Sequence, residues 1–373
     1  MGVVKLGDVA RESRLKWTKS KQDVPIVGLE HLIPDEIRFD AYDINTDNTF
    51  SKRFVKGQVL FGRRRAYQRK AAIAEFDGIC SGDITVIQAI EGKMLPELLP
   101  FIIQTPVFFD YANRGSAGSL SPRVKWEHLA DYEFELPPLE EQKILADKLW
   151  AAYRLKEAYK KLLVATDEMV KSQFIEMFGT VESYCKLEDL VSDTFPGEWG
   201  SEPTSENAIK VIRTTNFTNE GHLDLADVVT RDIEPKKVAR KKLKQGDTIL
   251  ERSGGTKDNP VGRVVFFDEI GDYLLNNFTQ ALRPKESVNP VYLFYALYNS
   301  YNINKAAMRA MASQTTGIQN LSMSDFMSKS IVLPSRDEQN KFEQIYRQAD
   351  KSKFELKQCI EHIDKVIKSL ING

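Results

Sequence analysis

The chain contains 373 residues, of which 42% are hydrophobic and 28% charged, and its formal net charge is −1. This length allows two domains that each bury a core. No apolar run approaches the roughly 18 residues that a membrane-spanning helix requires. The composition therefore excludes a transmembrane helix, and the near-neutral charge does not by itself indicate a nucleic-acid partner.

Cysteine and histidine usage narrows the class further. The three cysteines, Cys80, Cys185 and Cys359, lie far apart and cannot form a disulfide framework. We therefore expect a cytoplasmic protein with reduced thiols. The four histidines are isolated, and we predict no metal and no cofactor.

The first half of the chain begins with Lys-Leu-Gly-Asp-Val at residues 5–9 and a strand-like run at 25–32. Between Asp47 and Glu75 there is no acidic residue, but the stretch contains eight basic ones: Lys52, Arg53, Lys56, Arg63, Arg64, Arg65, Arg69 and Lys70. Such a patch can concentrate phosphate binding on one face of a near-neutral protein. A solvated surface would explain a single basic run equally well.

A serine- and glycine-rich stretch at 116–125 comes next, followed by Leu-Pro-Pro-Leu-Glu-Glu-Gln at 136–142. Pro138 suits the start of a helix, where its missing N–H costs nothing. From there to Phe178, apolar residues recur at intervals of three and four, which predicts an amphipathic helix. Residues 140–178 in a helix would span about 58 Å.

The second half of the chain repeats these features in the same order. Residues 186–190 match 5–9, residues 209–217 match the strand-like run, and the glycine turn at 243–250 matches the one at 55–60. Residues 315–322 answer 116–121, and Leu-Pro-Ser-Arg-Asp-Glu-Gln at 333–339 answers 136–142. A second acid-free basic run precedes the second turn, with Lys236, Lys237, Arg240, Lys241, Lys242 and Lys244. Five matches in one order indicate an internal repeat.

A second long helix is predicted after residue 335. Ser335 stands three residues before Glu338, the spacing of a capping box. Apolar residues then recur at strict intervals of seven: Phe342, Ala349, Leu356, Ile363 and Leu370. Because the two helices match in length, position and apolar stripe, we predict that they pair with each other. The alternative is that each caps its own unrelated domain.

These two helix entries, combined with the repeat and the basic loops at the glycine turns, resemble the specificity subunits of Type I restriction–modification systems. The resemblance extends over essentially the full chain, although Ser-Arg-Asp at 335–337 replaces Pro-Leu-Glu at 138–140. It implies an α+β fold with two tandem mixed α/β target-recognition domains, separated by two long helices that pair as an antiparallel coiled coil. The implied boundaries are 1–137 for the first recognition domain, 138–179 for the central spacer helix, 180–333 for the second domain and 334–373 for the C-terminal spacer helix.

The resemblance also implies a function without catalysis. Such a subunit binds double-stranded DNA at an asymmetric, bipartite target, with one half-site for each recognition domain. It docks methyltransferase subunits that modify adenine, two of them by our expectation, and restriction subunits in the full complex. Half-sites about one helical turn apart, roughly 10 base pairs, would let both domains face the same side of the duplex.

DNA contacts are expected in loops that combine base-reading and phosphate-binding groups. In the first domain these are Arg63, Arg64, Arg65, Tyr67, Gln68, Arg69 and Lys70, together with Ser119, Ser121, Arg123 and Lys125. In the second domain they are Arg252, Ser253, Lys257, Asn259, Asn276, Asn277, Gln280, Gln314, Thr315, Gln319 and Asn320. For any one of these residues an ordinary turn role is as good an interpretation, so the prediction concerns the loops as units.

Three alternatives remain beside this hypothesis. Asn-Pro-Val-Tyr at 289–292 superficially resembles a methyltransferase motif, but Pro290 fits a helix start better. Asp83 with Glu91 and Lys93 loosely resembles a metal-dependent nuclease set. A coiled-coil scaffold that does not bind DNA is the third. An ATP-driven translocase is excluded because the chain has no phosphate-binding Gly-x-x-x-x-Gly-Lys-Ser/Thr loop.

Overall fold

The computed structural model describes residues 2–204, 208–315 and 318–372, without the side chains of Gln314, Thr315 and Asn372. Its contacts divide the chain into two compact units. The first unit comprises Met1–Lys161 with Leu356–Gly373, and the second unit comprises Leu162–Glu355. Each unit contains one copy of the repeat and part of each long helix. Within the described ranges, no helix is long and apolar enough to cross a membrane.

The first copy of the repeat consists of a run of short strands with one short helix near its start, then three short helices and a last strand before the first long helix. Its elements are β1 (Gly2–Lys5), α1 (Leu6–Val9), β2 (Ala10–Glu12), β3 (Ile26–Val27), β4 (Lys52–Phe54), β5 (Val59–Gly62), β6 (Ala71–Ile73), β7 (Gly78–Cys80), β8 (Ile84–Ala89), α2 (Leu99–Ile103), α3 (Pro106–Arg114), α4 (Trp126–Ala130), β9 (Glu133–Leu136) and α5 (Leu139–Phe178).

The second copy follows the same plan with a few additional elements. They are β10 (Tyr184–Lys186), α6 (Leu187–Leu190), β11 (Val191–Pro196), β12 (Ile209–Ile212), β13 (Val229–Arg231), α7 (Pro235–Lys241), β14 (Thr248–Glu251), β15 (Ser253–Gly254), β16 (Val264–Phe266), β17 (Tyr273–Leu275), β18 (Thr279–Pro284), α8 (Pro290–Ile303), α9 (Lys305–Ala310), β19 (Ala312–Thr315), β20 (Ile318–Leu321), α10 (Met323–Met327), β21 (Ser330–Val332) and α11 (Arg336–Asn372).

Two sheets of each copy correspond strand by strand. The three-stranded sheets differ, with order β3-β7-β4 in the first copy and orders β13-β12-β17 and β15-β20-β19 in the second. The first copy has an antiparallel pair β1–β9 and a four-stranded sheet of order β2-β8-β5-β6. The second copy has the pair β10–β21 and a sheet of order β11-β18-β14-β16. In each copy the strand after the glycine turn, β5 or β14, is central and buried at every position. The internal repeat and the mixed α/β fold are thus confirmed.

The strand-like run at the start of each copy is shorter than predicted. In the first copy β3 ends at Val27, because the next backbone amide, that of Gly28, donates to Nδ1 of His31 (2.9 Å) and the chain turns. In the second copy the amide of Arg213 donates to Oδ1 of Asn216 (2.9 Å) in the same way. A side chain three residues ahead therefore ends both strands.

The glycine turns before β5 and β14 are held by equivalent side chains. The Gln58 side chain accepts from the amide of Val55 (2.9 Å), and the Asp247 carboxylate accepts from the amide of Lys244 (2.8 Å). Both side chains are buried. Gly57 and Gly246 have φ values of 87° and 92°, in the left-handed region that favours glycine.

The glutamine that ends each helix-entry motif ties the long helix to its own copy. Gln142 donates from Nε2 to the carbonyl of Pro137 (2.9 Å), and its Oε1 accepts from the amide of Leu95 (3.0 Å). Gln339 bonds the carbonyl of Pro334 (2.9 Å) and the amide of Asn289 (2.8 Å) in the same manner. Both glutamines are 1% exposed, so these bonds satisfy buried backbone groups that would otherwise be costly.

The predicted helix starts are confirmed. The carbonyl of Pro138 accepts from the amide of Gln142 as α5 begins at Leu139. Before α11, the Glu338 carboxylate accepts from the Ser335 amide (2.9 Å), and the Glu338 amide donates to the Ser335 hydroxyl (3.4 Å). This is the reciprocal bonding of a capping box.

The two long helices pack antiparallel within each unit. In the first unit Leu145 and Leu370 line one cavity, and further along α5 Lys156 Nζ lies 2.6 Å from Asp364. In the second unit Lys353 Nζ lies 2.8 Å from Asp167, and the ring of Phe342 contacts Phe174 and Phe178 near the end of α5. Within each unit, the residue numbers of the contacting positions decrease along α11 as they increase along α5. This confirms the antiparallel pairing.

Candidate nucleic-acid interface

In the first unit two predicted DNA-contact segments lie side by side. The basic loop (residues 63–70) follows β5, and the hairpin (residues 117–124) follows α3. The carbonyl of Arg63 accepts from the amide of Val124 (3.0 Å), and the amide of Arg65 donates to Pro122 (2.8 Å). Arg64 and Arg123 form an isolated antiparallel bridge. The fold therefore brings together segments about fifty residues apart in the chain.

Asp83 joins the basic loop to the hairpin. Its carboxylate accepts from Arg123 Nε (2.7 Å) and from Arg64 Nη1 (3.3 Å), while Arg64 Nη2 donates to the hydroxyl of Ser121 (3.0 Å). The hydrogen bond from Arg123, with the added charge of Arg64, holds the pKa of Asp83 below its usual value. Two of the predicted arginines are thus fixed in place by one acid.

Some of the remaining side chains of the basic loop are held by hydrogen bonds or ion pairs, and others face solvent. Lys70 Nζ donates to the carbonyl of Leu29 (2.7 Å), and Arg69 is paired with Asp35. Arg65 and Arg69 have φ values of 54° and 55°, and the turn between them leaves Tyr67 58% exposed. Gln68 is half-buried, and Ser119 and Lys125 are exposed.

Three consecutive arginines of the basic loop each have one guanidinium donor without a partner among the described residues. The Nε atoms of Arg63, Arg64 and Arg65 are buried and have no hydrogen-bond partner in the described part of the chain. A charged donor without an acceptor is unfavourable. The Nε atoms of Arg53, Arg213 and Arg231 outside the loop share this feature, so it does not mark the basic loop as a DNA contact.

The second unit places its two loops in the same relation. The glycine loop (residues 252–259) follows β14, and its Ser253 and Gly254 pair with Asn320 and Gln319 of the β19–β20 hairpin. The amide of Leu321 donates to the carbonyl of Arg252 (2.8 Å), as that of Val124 does to Arg63. The correspondence of the loops is therefore structural as well as sequential.

The groups that hold the glycine loop are different. Glu251, 2% exposed, pairs with Arg263 Nε at 2.7 Å and accepts from the amide of Gly255 (3.3 Å). The Ser253 hydroxyl donates to Asn320 Oδ1 (2.7 Å), and Lys305 Nζ donates to Asn259 Oδ1 (2.9 Å). Lys257 is exposed. Its backbone carbonyl accepts from Arg309 of α9 (2.7 Å).

Three of the predicted contact residues, Ser253, Asn276 and Gln280, lie beneath the surface, and Ser253 is 8% exposed. Asn276 is 5% exposed and its side chain accepts from Thr279 (3.2 Å). Gln280 is 6% exposed, donates to Thr194 (2.8 Å) and accepts from Arg252 (3.4 Å). Their burial in these networks makes them supports of the loop, which corrects the expectation of direct contact. Asn277 between them is exposed. The side chains of Gln314 and Thr315 lie outside the described part of the chain.

The basic runs are partly neutralised by acids from elsewhere in their units. Lys52 lies 3.7 Å from Glu12 and Arg53 lies 3.4 Å from Asp77. In the second unit Lys241 and Lys237 both bind Glu198 and lower its pKa. Runs that are free of acids in the sequence are therefore not free of acids in space. The basic loop and the hairpin, rather than the whole run, form the candidate surface of the first unit.

Sequence reasoning missed Asp83, Glu251 and Arg263 as supports of the interface. Asp83 stands immediately before β8 and Glu251 ends β14, so they come from different strands of equivalent sheets. No local spacing relates them to the arginines that they bind. The only available signal was their position at a strand end beside a loop of polar residues.

The residues of two enzyme alternatives serve other purposes in the structure. Asp83 and Glu91 flank opposite ends of β8, whose six residues span about 20 Å, so they cannot hold one metal ion. Asn289 caps α8 by accepting from the amides of Val291 and Tyr292, and Tyr292 is completely buried. The confirmed helix start at Pro290 explains the methyltransferase-like motif.

Comparison with known proteins agrees with this arrangement. The family described as Type I restriction modification DNA specificity domain matches residues 1–163 and 186–365, one match for each repeat. The specificity subunit of the Type I restriction enzyme EcoDI from Escherichia coli is 32% identical over 89 residues. That match spans 24% of this chain and only 19% of the relative.

Two solved structures share the fold over nearly the full length. The S subunit of a Type I restriction–modification system from M. genitalium has a TM-score of 0.61 at 11% identity, covering 100% of this chain and 95% of that one. A chain from a structure of assembly and conformational transition in the type I R-M system has a TM-score of 0.56 at 17% identity, covering 99% and 96%. At such identities the likeness concerns the fold.

Proposed function

This chain belongs to the Type I restriction modification DNA specificity domain family, and from that membership we propose that it selects the DNA target of such a complex without catalysing any step. It reads an asymmetric, two-part sequence in double-stranded DNA, one half-site with each unit. The observation that carries this proposal is that two matching frameworks present loops of different chemistry at the same place. Two copies that share a framework but differ in their loops are suited to reading two different half-sites.

The chemistry of the loops supports different half-sites. The basic loop and hairpin offer arginine, tyrosine and serine, and arginine can bond guanine at two points. The glycine loop and the β19–β20 hairpin offer amides and hydroxyls around Arg252 and Lys257, and amides can bond adenine at two points. We assign base and phosphate contact to the exposed members of each set and support to the buried Ser253, Asn276 and Gln280.

The long helices offer a docking surface for the subunits that carry the chemistry. On the first unit's part of α5, Ile144 and Leu155 are 57% and 46% exposed, and in the second unit Val164 and Phe354 are 64% and 62% exposed. Apolar side chains exposed along a helix indicate contact with a partner. We propose that methyltransferase subunits, two of them, dock here, that restriction subunits join the full complex, and that the assembly works in the cytoplasm.

We further propose that function divides the chain into recognition domains at 1–137 and 180–333 and spacer helices at 138–179 and 334–373. Each long helix contributes residues to both units, and this supports the division. Deleting one heptad from each helix, in register, should change the number of unread bases between the half-sites. An unchanged spacer would contradict the role of the helices as a ruler.

The central experiment is to map methylated adenines in cells with and without this gene, with its partner subunits expressed. We expect one bipartite motif to be methylated only when the gene is present. Binding of the assembled complex to that motif should weaken steeply with salt, because phosphate contacts release counterions. An unchanged methylome would contradict target selection, and salt-independent binding would contradict the phosphate contacts.

The assignment of half-sites can be tested with paired variants. Replacing Arg63 and Arg65 by alanine should relax sequence preference at one half-site and leave the other intact, since each base contact discriminates by about 1–3 kcal/mol. The control replaces the exposed Arg11 and Arg14 by alanine, which removes the same number of charges outside the loop and outside the long helices. Equal losses at both half-sites would indicate general phosphate binding instead.

A further inference from the structure

One apolar side chain stands alone within the polar surface of the first unit. Leu120 lies at the tip of the hairpin and is 89% exposed, more than any other large hydrophobic side chain in the described ranges. Ser119 and Ser121 flank it, and Arg123 follows two residues further on. Leu120 is therefore placed to contact the same ligand as the basic loop and the hairpin.

The tip that carries Leu120 is held firmly. Ala117 and Arg123 exchange two backbone hydrogen bonds (3.0 and 2.9 Å) at the base of the hairpin. Gly118 takes a φ of 116°, which lets the chain reverse. Asp83 binds Arg123, and Arg64 binds Ser121. Because the tip is already ordered, little conformational entropy is lost when Leu120 makes a contact.

We propose that Leu120 recognises the C5-methyl group of a thymine in the half-site read by the first unit, an inference that rests on the proposed function. In intact DNA, the apolar group that base edges offer to an apolar side chain is the thymine methyl group in the major groove. Insertion between base pairs would also bury Leu120, but it would first require unstacking them. The methyl contact needs no such deformation.

The neighbours of Leu120 fit base-edge recognition. Ser119 is exposed, Ser121 is held by Arg64, and serine hydroxyls can bond either kind of base-edge group. The second unit repeats the arrangement in its β19–β20 hairpin, where Ile318 is 44% exposed two residues before Asn320. An aliphatic side chain beside polar readers is thus present in both hairpins.

The test is a double-mutant cycle on the complex assembled with its methyltransferase subunits, using the target identified by methylation mapping. Each thymine of both half-sites is replaced in turn by uracil, which lacks only the methyl group, and affinity is measured for the native chain and Leu120→Ala. We expect one replacement to weaken native binding about fourfold, the value of one buried methyl group. The same replacement should have no effect on Leu120→Ala.

Two further variants make the result specific. Leu120→Met keeps an apolar side chain and should retain most of the sensitivity to uracil. Ile270→Ala removes an aliphatic side chain that is equally exposed, at 88%, outside the loops, and should leave the sensitivity unchanged.

Three outcomes would overturn the proposal. The first is a cycle without coupling at any thymine, and the second is a half-site without thymine. The third is a rise in 2-aminopurine fluorescence beside the target that depends on Leu120, which would indicate insertion between base pairs instead. All three leave target selection intact. A native complex that fails to prefer its mapped target would contradict the proposed function itself.

Discussion

The basic loop of the first unit and the glycine loop of the second unit occupy equivalent places but are held by different electrostatic arrangements. Asp83, with 21% of its side chain exposed, binds two arginines that themselves face solvent. Glu251, whose side chain is 3% exposed, binds one arginine that is itself largely buried. Water screens the first arrangement and is largely excluded from the second. Equivalent loops can therefore tolerate substitution of their supporting acids very differently.

The largest effect is expected from Glu251→Gln. Removing one member of a buried ion pair leaves Arg263 uncompensated, and such changes cost about 3–5 kcal/mol. The glycine loop also loses the charged acceptor of the Gly255 amide. Hydrogen exchange measured over increasing urea should show β14 and β16 opening at lower urea, with β5 and β6 unchanged. Exposed Glu269→Gln is the control and should have no effect.

Asp83→Asn is the counterpart in the first unit. Because the carboxylate and both arginines are partly exposed, the free energy of unfolding should fall by at most about 1 kcal/mol. Exposed Glu91→Gln serves as its control. Equal losses for Glu251→Gln and Asp83→Asn would show that the difference in burial between the two loops does not govern their stability.

A second pair of substitutions tests what the two units share. Gln142→Ala and Gln339→Ala each remove a buried side chain that bonds one carbonyl and one amide. Each should cost about 1–3 kcal/mol, the penalty for leaving buried polar groups unsatisfied. Urea-dependent hydrogen exchange should show Gln142→Ala destabilising only the first unit and Gln339→Ala only the second.

The control for this pair is Gln348→Ala on α11, since Gln348 is exposed. A large cost for one glutamine and none for the other would mean that the repeated motif has lost its role in one copy.

The sequence predicted the framework better than the interface for a physical reason. Helix starts and the repeat depend on local signals, such as Pro138 and the Ser335–Glu338 box, which hold wherever the helix is placed. The loops depend on contacts between distant segments, such as Arg64 with Asp83, and no local pattern specifies these. The sequence identified the loop segments that lie side by side in each unit. It could not distinguish the buried Asn276 and Gln280 from exposed amide side chains.

The smallest predicted effect is the pH dependence of the first unit's interface. Because Arg123 and Arg64 lower the pKa of folded Asp83 below its unfolded value, the pairing stabilises the fold fully above the unfolded value of about 3.9. The contribution is lost as the pH falls through the lower, folded pKa. Native chain and Asp83→Asn should therefore differ in urea stability at pH 6 and converge in strongly acidic solution. Since both arginines stay charged throughout, a difference that persists unchanged in acid would mean that the shape of the carboxylate, and not its charge, holds the hairpin against the basic loop.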